Sequence, residues 1–119
     1  VLMGHGAISV FTATMSSGGT LTSEVDFGNR QWEKVYLAVP SMASNTQLHI
    51  QVCTESGGTY RRVKHPMINS STVSTPNDFA IASAATNCYV PIPNGFRFLK
   101  IESTATVDGG ASFKMVCGD

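Results

Sequence analysis

The feature that most constrains the fold is a two-residue alternation of apolar and polar side chains that recurs along the chain. The clearest runs are KVYLAVP at residues 34–40 and QLHIQVC at residues 47–53. Successive side chains of a β-strand point to opposite faces, so each run predicts a strand with one buried and one solvent-exposed face. The residues predicted to be buried are Val35, Leu37, Val39, Leu48, Ile50 and Val52.

The same period predicts strands in DFAIA, CYVPIP and SFKMVC, at residues 78–82, 88–93 and 112–117. The run FRFLKIE, residues 96–102, is less regular. In it Phe98 falls on one face while Leu99 and Ile101 fall on the other. Either both faces of this strand are covered, or a bulge shifts its register.

Small-residue turns such as SSGGT at residues 16–20 and VDGGA at residues 107–111 separate these runs, and no segment has the apolar period and caps of a long helix. Seven or eight short strands with turns between them predict an all-β fold, an antiparallel β-sandwich of jelly-roll type. Residues 1–14, which include AISVFTAT, are expected to form either the first strand or an N-terminal arm that reaches a neighbour, with the first strand favoured.

A length of 119 residues predicts a single domain, residues 1–119. The net charge is zero and 13% of residues are charged, which argues against broad electrostatic binding to nucleic acid or to a membrane surface, and favours contact between copies. No run is apolar enough for a membrane span, and the start lacks the pattern of a signal peptide. The three scattered cysteines, Cys53, Cys88 and Cys117, are expected to be buried or half-buried thiols of a protein made in a reducing cytoplasm.

No catalytic, cofactor or metal site is predicted. The three histidines lie outside recognised catalytic or metal-binding motifs, and His49, on the polar phase of its strand, is expected to be a surface imidazole. Asp108 in the VDGG turn offers one carboxylate, whereas a calcium site collects six to eight oxygens. The chain is therefore not expected to be an enzyme.

The segment TYRRVKHP, residues 59–66, concentrates basic residues, but alternation divides them between two faces of a strand. A divided cluster does not make one phosphate-binding patch, so no nucleic-acid partner is predicted. The residues that share one face are Tyr60, Arg62 and Lys64.

Three stretches resemble the small β-sandwich structural proteins of tailed-bacteriophage virions. They are LTSEVDFGNRQWEKVYLAVPSM, LHIQVCTESGGTYRRV and CYVPIPNGFRFLKIESTATVDGGASFKMVC. They are also similar to the wider galactose-binding-like jelly rolls. The resemblance covers most of the chain, from about Thr20 to Cys117.

This resemblance implies a capsid decoration or cement protein that binds the major capsid protein or other virion proteins, stabilises the shell and forms a homotrimer. Its location would be the virion, after synthesis in the cytoplasm of the host bacterium. On this reading Tyr60, Arg62 and Lys64 are the candidates for contact with an acidic patch on a neighbouring subunit, the alternative being a solvated strand face. The alternative function is a carbohydrate-binding module of a phage fibre or tail, with Trp32 and Tyr36 as candidates for stacking on a sugar.

Overall fold

The structure is a computed structural model that describes residues 8–29, 31–41, 46–64, 79–82, 87–107 and 110–118. Its regular elements are ten β-strands, each formed where the sequence alternates or where a short run lies beside a longer strand. The strands are β1 (Ile8–Met15), β2 (Gly19–Leu21), β3 (Val25–Asp26), β4 (Lys34–Val39), β5 (Gln47–Cys53), β6 (Arg61–Arg62), β7 (Ala80–Ala82), β8 (Cys88–Pro91), β9 (Phe98–Val107) and β10 (Ala111–Gly118).

The strands form two antiparallel sheets. Sheet A has the order β1-β10-β4-β8, and in sheet B β9 and β5 are the central pair. The six strands of sheet B fill four positions, because β2 and β3 both pair with β9 while β6 and β7 both pair with β5. If β2 and β3 are counted as one strand position and β6 and β7 as another, the ten strands fill eight positions. Numbered along the chain, these positions have the order 1-8-3-6 in sheet A and 2-7-4-5 in sheet B, which is the strand order of an eight-stranded jelly roll. The predicted antiparallel β-sandwich is confirmed; two strand positions are broken in two, which raises the strand count to ten.

The core lies between the sheets and consists of the apolar phases of their strands. Leu37 of β4 and Ile50 of β5 are fully buried, as the alternation predicts, while Val52 is only partly buried. Each fully buried side chain of this size contributes about 1.5–3 kcal/mol by leaving water. Further core residues from the other strands are Ala13, Met15, Val25, Ile81, Leu99, Ile101, Phe113, Met115 and Cys117.

Both faces of β9 are covered where its sequence is irregular. Phe98 and Leu99 are both buried although they point to opposite sides of sheet B. The register between β5 and β9 runs without a shift from Leu48 opposite Ser103 to Cys53 opposite Phe98. The first of the two alternatives, coverage on both faces, therefore holds for residues 98–103, whereas the register of β9 with β2 shifts between Glu102 and Val107.

His49 departs from its prediction. It is a buried residue rather than a surface imidazole, with a relative exposure of 6%. The reason is that β5 is an inner strand, so His49 is flanked by Glu102 of β9 on one side and by Ala80 of β7 on the other. His5, His65 and Asp108 lie outside the described residues.

The N-terminal segment contributes the first strand of sheet A. β1 pairs along its length with β10, from Ile8 opposite Gly118 to Met15 opposite Ala111. Residues 1–7 of the predicted strand or arm lie outside the described residues. Among the described residues β1 is thus an edge strand, with β10 on one side and no strand on the other.

Candidate functional site

The solvent-facing side of sheet A, here called the A face, carries an apolar row that crosses all four strands. The pairing register places Val10 of β1 beside Val116 of β10, Val116 beside Tyr36 of β4, and Tyr36 beside Pro91 of β8. Val10 is 58% exposed and Tyr36 is 39% exposed. Ile8, which is also exposed, lies two residues from Val10 along β1.

A second aromatic ring lies next to this row. Tyr89 of β8 is 66% exposed and is paired with Ala38, two residues from Tyr36 on β4. Diagonal neighbours of this kind lie about 7–8 Å apart, within reach of aromatic side chains. Tyr36 and Tyr89 therefore present two rings to solvent on one surface. In total, four of the six exposed large apolar side chains among the described residues lie on the A face, namely Ile8, Val10, Tyr36 and Tyr89.

The charges of the A face are all of one sign. Lys34 and Lys114 lie in the rows on either side of the apolar row, because Lys34 precedes Tyr36 by two residues while Lys114 pairs with Ala38. Among the described strand residues of this face there is no carboxylate. An apolar strip between two cations fits a partner surface that combines apolar groups with carboxylates.

The solvent-facing side of sheet B is different, because its charges are paired within the molecule. Arg62 donates from Nη2 to Glu102 Oε2 at 2.6 Å, and Gln51 donates from Nε2 to Glu102 Oε1 at 2.7 Å. The pKa of Glu102 is lowered, chiefly by the hydrogen bond from Arg62. Arg97 donates from Nε to Asp26 at 3.0 Å and holds the pKa of that carboxyl below its usual range.

Tyr60 belongs to a second polar cluster on sheet B. Its hydroxyl donates to the carboxylate of Glu24, which also accepts from the Ser56 hydroxyl at 2.7 Å and from the Gly57 N–H at 3.1 Å. These hydrogen bonds lower the pKa of Glu24, and the bond from Tyr60 has the largest effect. Burial and the neighbouring Glu24 raise the pKa of Tyr60, and the Lys100 ammonium lies 4.6 Å from the centre of the Tyr60 ring.

Two of the three residues predicted to contact a partner, Tyr60 and Arg62, lie in separate clusters of hydrogen bonds within the molecule. Tyr60 is bound to Glu24 and Arg62 is bound to Glu102, while Lys64 is exposed just beyond β6. Arg61 and Arg62 pair with adjacent residues of β5 and so point to opposite sides of the sheet, which agrees with the divided basic cluster predicted from alternation.

The two predicted stacking residues lie in different environments. Tyr36 is on the A face, but Trp32 is only 6% exposed and its ring lies edge-on to Phe11 at 6.3 Å between centroids. Phe11 also packs edge-on against Phe27 at 5.1 Å. Trp32 is therefore largely enclosed, although it also lines an open cavity, and its stacking on a sugar stays a prediction. The exposed partner of Tyr36 is Tyr89.

An open cavity of about 260 Å³ lies at one end of the sandwich, between the loops that precede β4 and β9. Asn94 joins these loops, since its side-chain nitrogen donates to the carbonyl oxygens of Trp32 at 2.6 Å and Glu33 at 2.7 Å. Arg97 also lines the cavity, and its guanidinium donates to Asn29 at 2.9 Å and to Asp26. Its rim carries the exposed ring of Phe96.

Sequence reasoning missed the contribution of β1 to the A face. The signal was present in AISVFTAT, where both phases of the alternation hold apolar residues, Ile8 and Val10 on one phase and Phe11 and Ala13 on the other. When both sides of a strand carry apolar residues and one side is buried in the core, the apolar residues of the other side must face solvent or a partner.

Within the described ranges no group of histidine, cysteine, aspartate and glutamate side chains is arranged to hold a metal ion, and no helix there could span a membrane. Comparisons with protein families, with curated proteins and with solved structures found no match to this chain.

Proposed function

We propose that this protein is a structural subunit of a tailed-bacteriophage virion, a capsid decoration protein that binds the major capsid protein and stabilises the shell. The proposal rests on the resemblance of the three sequence stretches and on one structural observation, the A face. Its apolar row, with Val10 and Tyr36 exposed between Lys34 and Lys114, has the composition of a protein-binding surface.

Binding through this face has a simple physical basis. The apolar row supplies hydrophobic burial, and aromatic residues such as Tyr36 and Tyr89 are the side chains that most often dominate binding energy at the centre of an interface. The two lysines add electrostatic attraction to an acidic partner, and this attraction weakens as the salt concentration rises. Many symmetry-related copies on a shell would multiply a modest affinity per contact. The homotrimer implied by the resemblance remains part of this proposal.

The test is co-sedimentation with undecorated capsids of the phage that encodes the chain. The double variant Tyr36→Ser, Tyr89→Ser should bind at least about tenfold more weakly, as expected for loss of two central aromatic contacts. The matched control is Leu21→Ser, because Leu21 is 41% exposed, close to Tyr36, but lies on sheet B. Equal binding by both variants and the unaltered protein would show that the A face does not contact the capsid.

A second experiment tests the predicted contact on sheet B. Charge reversal at Lys64, which is exposed, should weaken capsid binding at low salt if the contact involves Tyr60, Arg62 and Lys64. Charge reversal at Lys114 should do the same if the A face is used. The two variants therefore distinguish the two surfaces in one assay.

The second candidate function is carbohydrate recognition on a fibre or tail, and the exposed pair Tyr36 and Tyr89 favours it. Two rings on one sheet face can stack on successive sugars of a chain. A glycan array would detect a host polysaccharide that binds the unaltered protein and fails to bind Tyr36→Ala. Since stacking on a neutral sugar changes little with ionic strength, such binding should persist at high salt, whereas a contact through Lys34 and Lys114 should weaken.

A further inference from the structure

β1 presents an open row of backbone hydrogen-bonding groups at the edge of sheet A. The Ser23 N–H donates to the Thr14 carbonyl at 2.9 Å, and the Thr14 N–H donates to Ser23 Oγ at 3.2 Å, so the peptide groups of Thr14 point away from β10. In an antiparallel pair, residues that face the partner alternate with residues that face away. Thr12, Val10 and Ile8 therefore also direct their N–H and C=O groups outward. Within the described residues no backbone bond joins these three to another strand on that side.

The other edges of the two sheets carry features that discourage pairing with another chain. β8 has four residues and contains Pro91, which has no N–H, and β6 consists of Arg61–Arg62. β3 has two residues and includes Asp26, while β2 and β7 have three residues each. Short length, charge and proline are the usual protections of edge strands. β1 has eight residues, ISVFTATM, and none of these protections.

We propose that the open edge of β1 pairs with β1 of a second copy of the same chain, antiparallel and about a two-fold axis at Val10. In this register Val10 lies opposite Val10 of the second copy, and Ile8 lies opposite Thr12 of the second copy. All three residues direct their backbone groups outward, so each opposed pair exchanges both of its bonds, about six hydrogen bonds across the junction. In each copy, Thr14 is already bonded to Ser23 of its own chain, so these bonds mark the two ends of the paired segment.

We infer that the partner of this edge is a second copy of the chain, because the edge of β1 is complementary to itself. β1 has no charged residue and the chain has no net charge, so two β1 strands meet without repulsion. The Val10 pair and the two Ile8 to Thr12 pairs are cross-strand contacts between β-branched side chains, which stabilise antiparallel sheets. The apolar row of the A face continues from one copy into the other. The strands of the two copies then form one sheet of eight strands, twice the four of sheet A.

This pairing does not depend on the proposed virion role. It joins two copies, and where the chain also forms trimers it would join two trimers through one β1 strand from each. A monomeric protein that still binds capsids would leave the proposed function intact and would overturn the pairing.

Cysteine cross-linking tests the register directly. The full chain with Cys88→Ser is used as background, because Cys88 is an exposed thiol. Val10→Cys should form a disulfide-linked dimer on mild oxidation, since opposed residues of an antiparallel pair lie about 5.5 Å apart, within the range for a disulfide. Thr14→Cys, on the same strand but beyond the junction, is the matched control and should form no disulfide-linked dimer.

A mixed experiment makes the register unambiguous. Ile8→Cys and Thr12→Cys should each form little disulfide dimer alone, but should form a heterodimer when mixed, because Ile8 faces Thr12 of the second copy. Cross-linking of Ile8→Cys to itself would mean a different register and would overturn the proposal. So would a Val10→Cys protein that reacts no faster than Thr14→Cys.

Sedimentation of the unmodified chain gives an independent readout. The dissociation constant of the dimer should rise by roughly tenfold or more in Val10→Lys, because this variant places two like charges opposite each other across the two-fold axis. Circular dichroism and the melting temperature of Val10→Lys establish that the fold is retained. A sedimentation coefficient that is identical for Val10→Lys and the unmodified chain overturns the pairing. If Val10→Cys cross-links to a capsid subunit and not to its own copy, the edge binds a foreign strand and the proposal also fails.

Discussion

Arg62 and Glu102 form an ion pair that spans a strand. Arg62 lies on β6 and Glu102 on β9, with β5 between them, and Arg62 Nη2 reaches Glu102 Oε2 at 2.6 Å. Gln51 of β5 donates to the same carboxylate. One carboxylate therefore ties three strands of sheet B, and it binds an arginine that the sequence indicates as a contact for another protein.

The first prediction concerns this ion pair. Arg62→Ala should lower the free energy of unfolding by about 0.2–1 kcal/mol, because the side chains are 38% and 22% exposed and such pairs are screened by water. Urea unfolding would measure the difference. Arg61→Ala is the matched control, since Arg61 is the exposed neighbour on the other side of β6, and it should change stability less. An equal loss from both variants would argue against a specific role for the pair.

Acid pH should destabilise the protein. The pKa values of Glu24, Asp26 and Glu102 are all lowered in the folded state by hydrogen bonds to their charged forms. A lowered folded-state pKa contributes stability that is present above the unfolded-state pKa, about 4 for these groups, and is lost as the pH falls through the folded value. Urea midpoints measured from about pH 6 to pH 2 should fall most steeply below about pH 4. The variant Glu102→Gln should show a shallower decline, and a decline as steep as that of the unaltered protein would contradict the role of Glu102.

Two glycines with positive φ provide a test of backbone strain. Gly28 has φ of 78° and Gly110 has φ of 74°, but a Cβ at Gly28 would have no atom within 4 Å, whereas a Cβ at Gly110 would lie 2.7 Å from the Met15 carbonyl oxygen. Gly28→Ala should cost about 1–2 kcal/mol from the conformation alone. Gly110→Ala should cost more, because the backbone just before β10 must also move away from β1. Thermal melts of the two variants compare these costs, and an equal loss would mean that the contact at Met15 relaxes.

Thiol reactivity should separate the three cysteines. Cys88 is exposed, whereas Cys53 and Cys117 are buried, and burial raises the pKa of Cys117 to about 11. Because the thiolate is the reactive form, a thiol reagent at neutral pH should modify Cys88 in the folded protein and all three cysteines in urea. The variant Cys88→Ser should lose the fast phase. A fast phase that survives in this variant would show that one of the buried thiols becomes accessible in the folded state.

The candidate site was only partly predictable. The alternation in KVYLAVP predicts that Tyr36 lies on the exposed side of its strand, and Tyr36 is exposed. Its neighbour Tyr89 and the exposed Val10 join it only because β8 and β1 lie in the same sheet, which no local pattern specifies. Trp32 opens the same run of sequence as Tyr36, yet it packs inward against Phe11, a residue of the edge strand β1.

By itself the sequence determined the longer alternating strands, the buried side of strands such as β4 and β10, and the two-layer class of the fold. These follow from a two-residue period and from glycine turns, which are properties of neighbouring residues along the chain. The tertiary structure decided which strands lie at the edges, that His49 is enclosed, and that Arg62, although partly exposed, binds Glu102 two strands away. The physical reason is that these properties depend on which distant strands pair: β1 at one end of the chain has β10 from the other end as its only strand neighbour among the described residues, and that leaves its outer edge open.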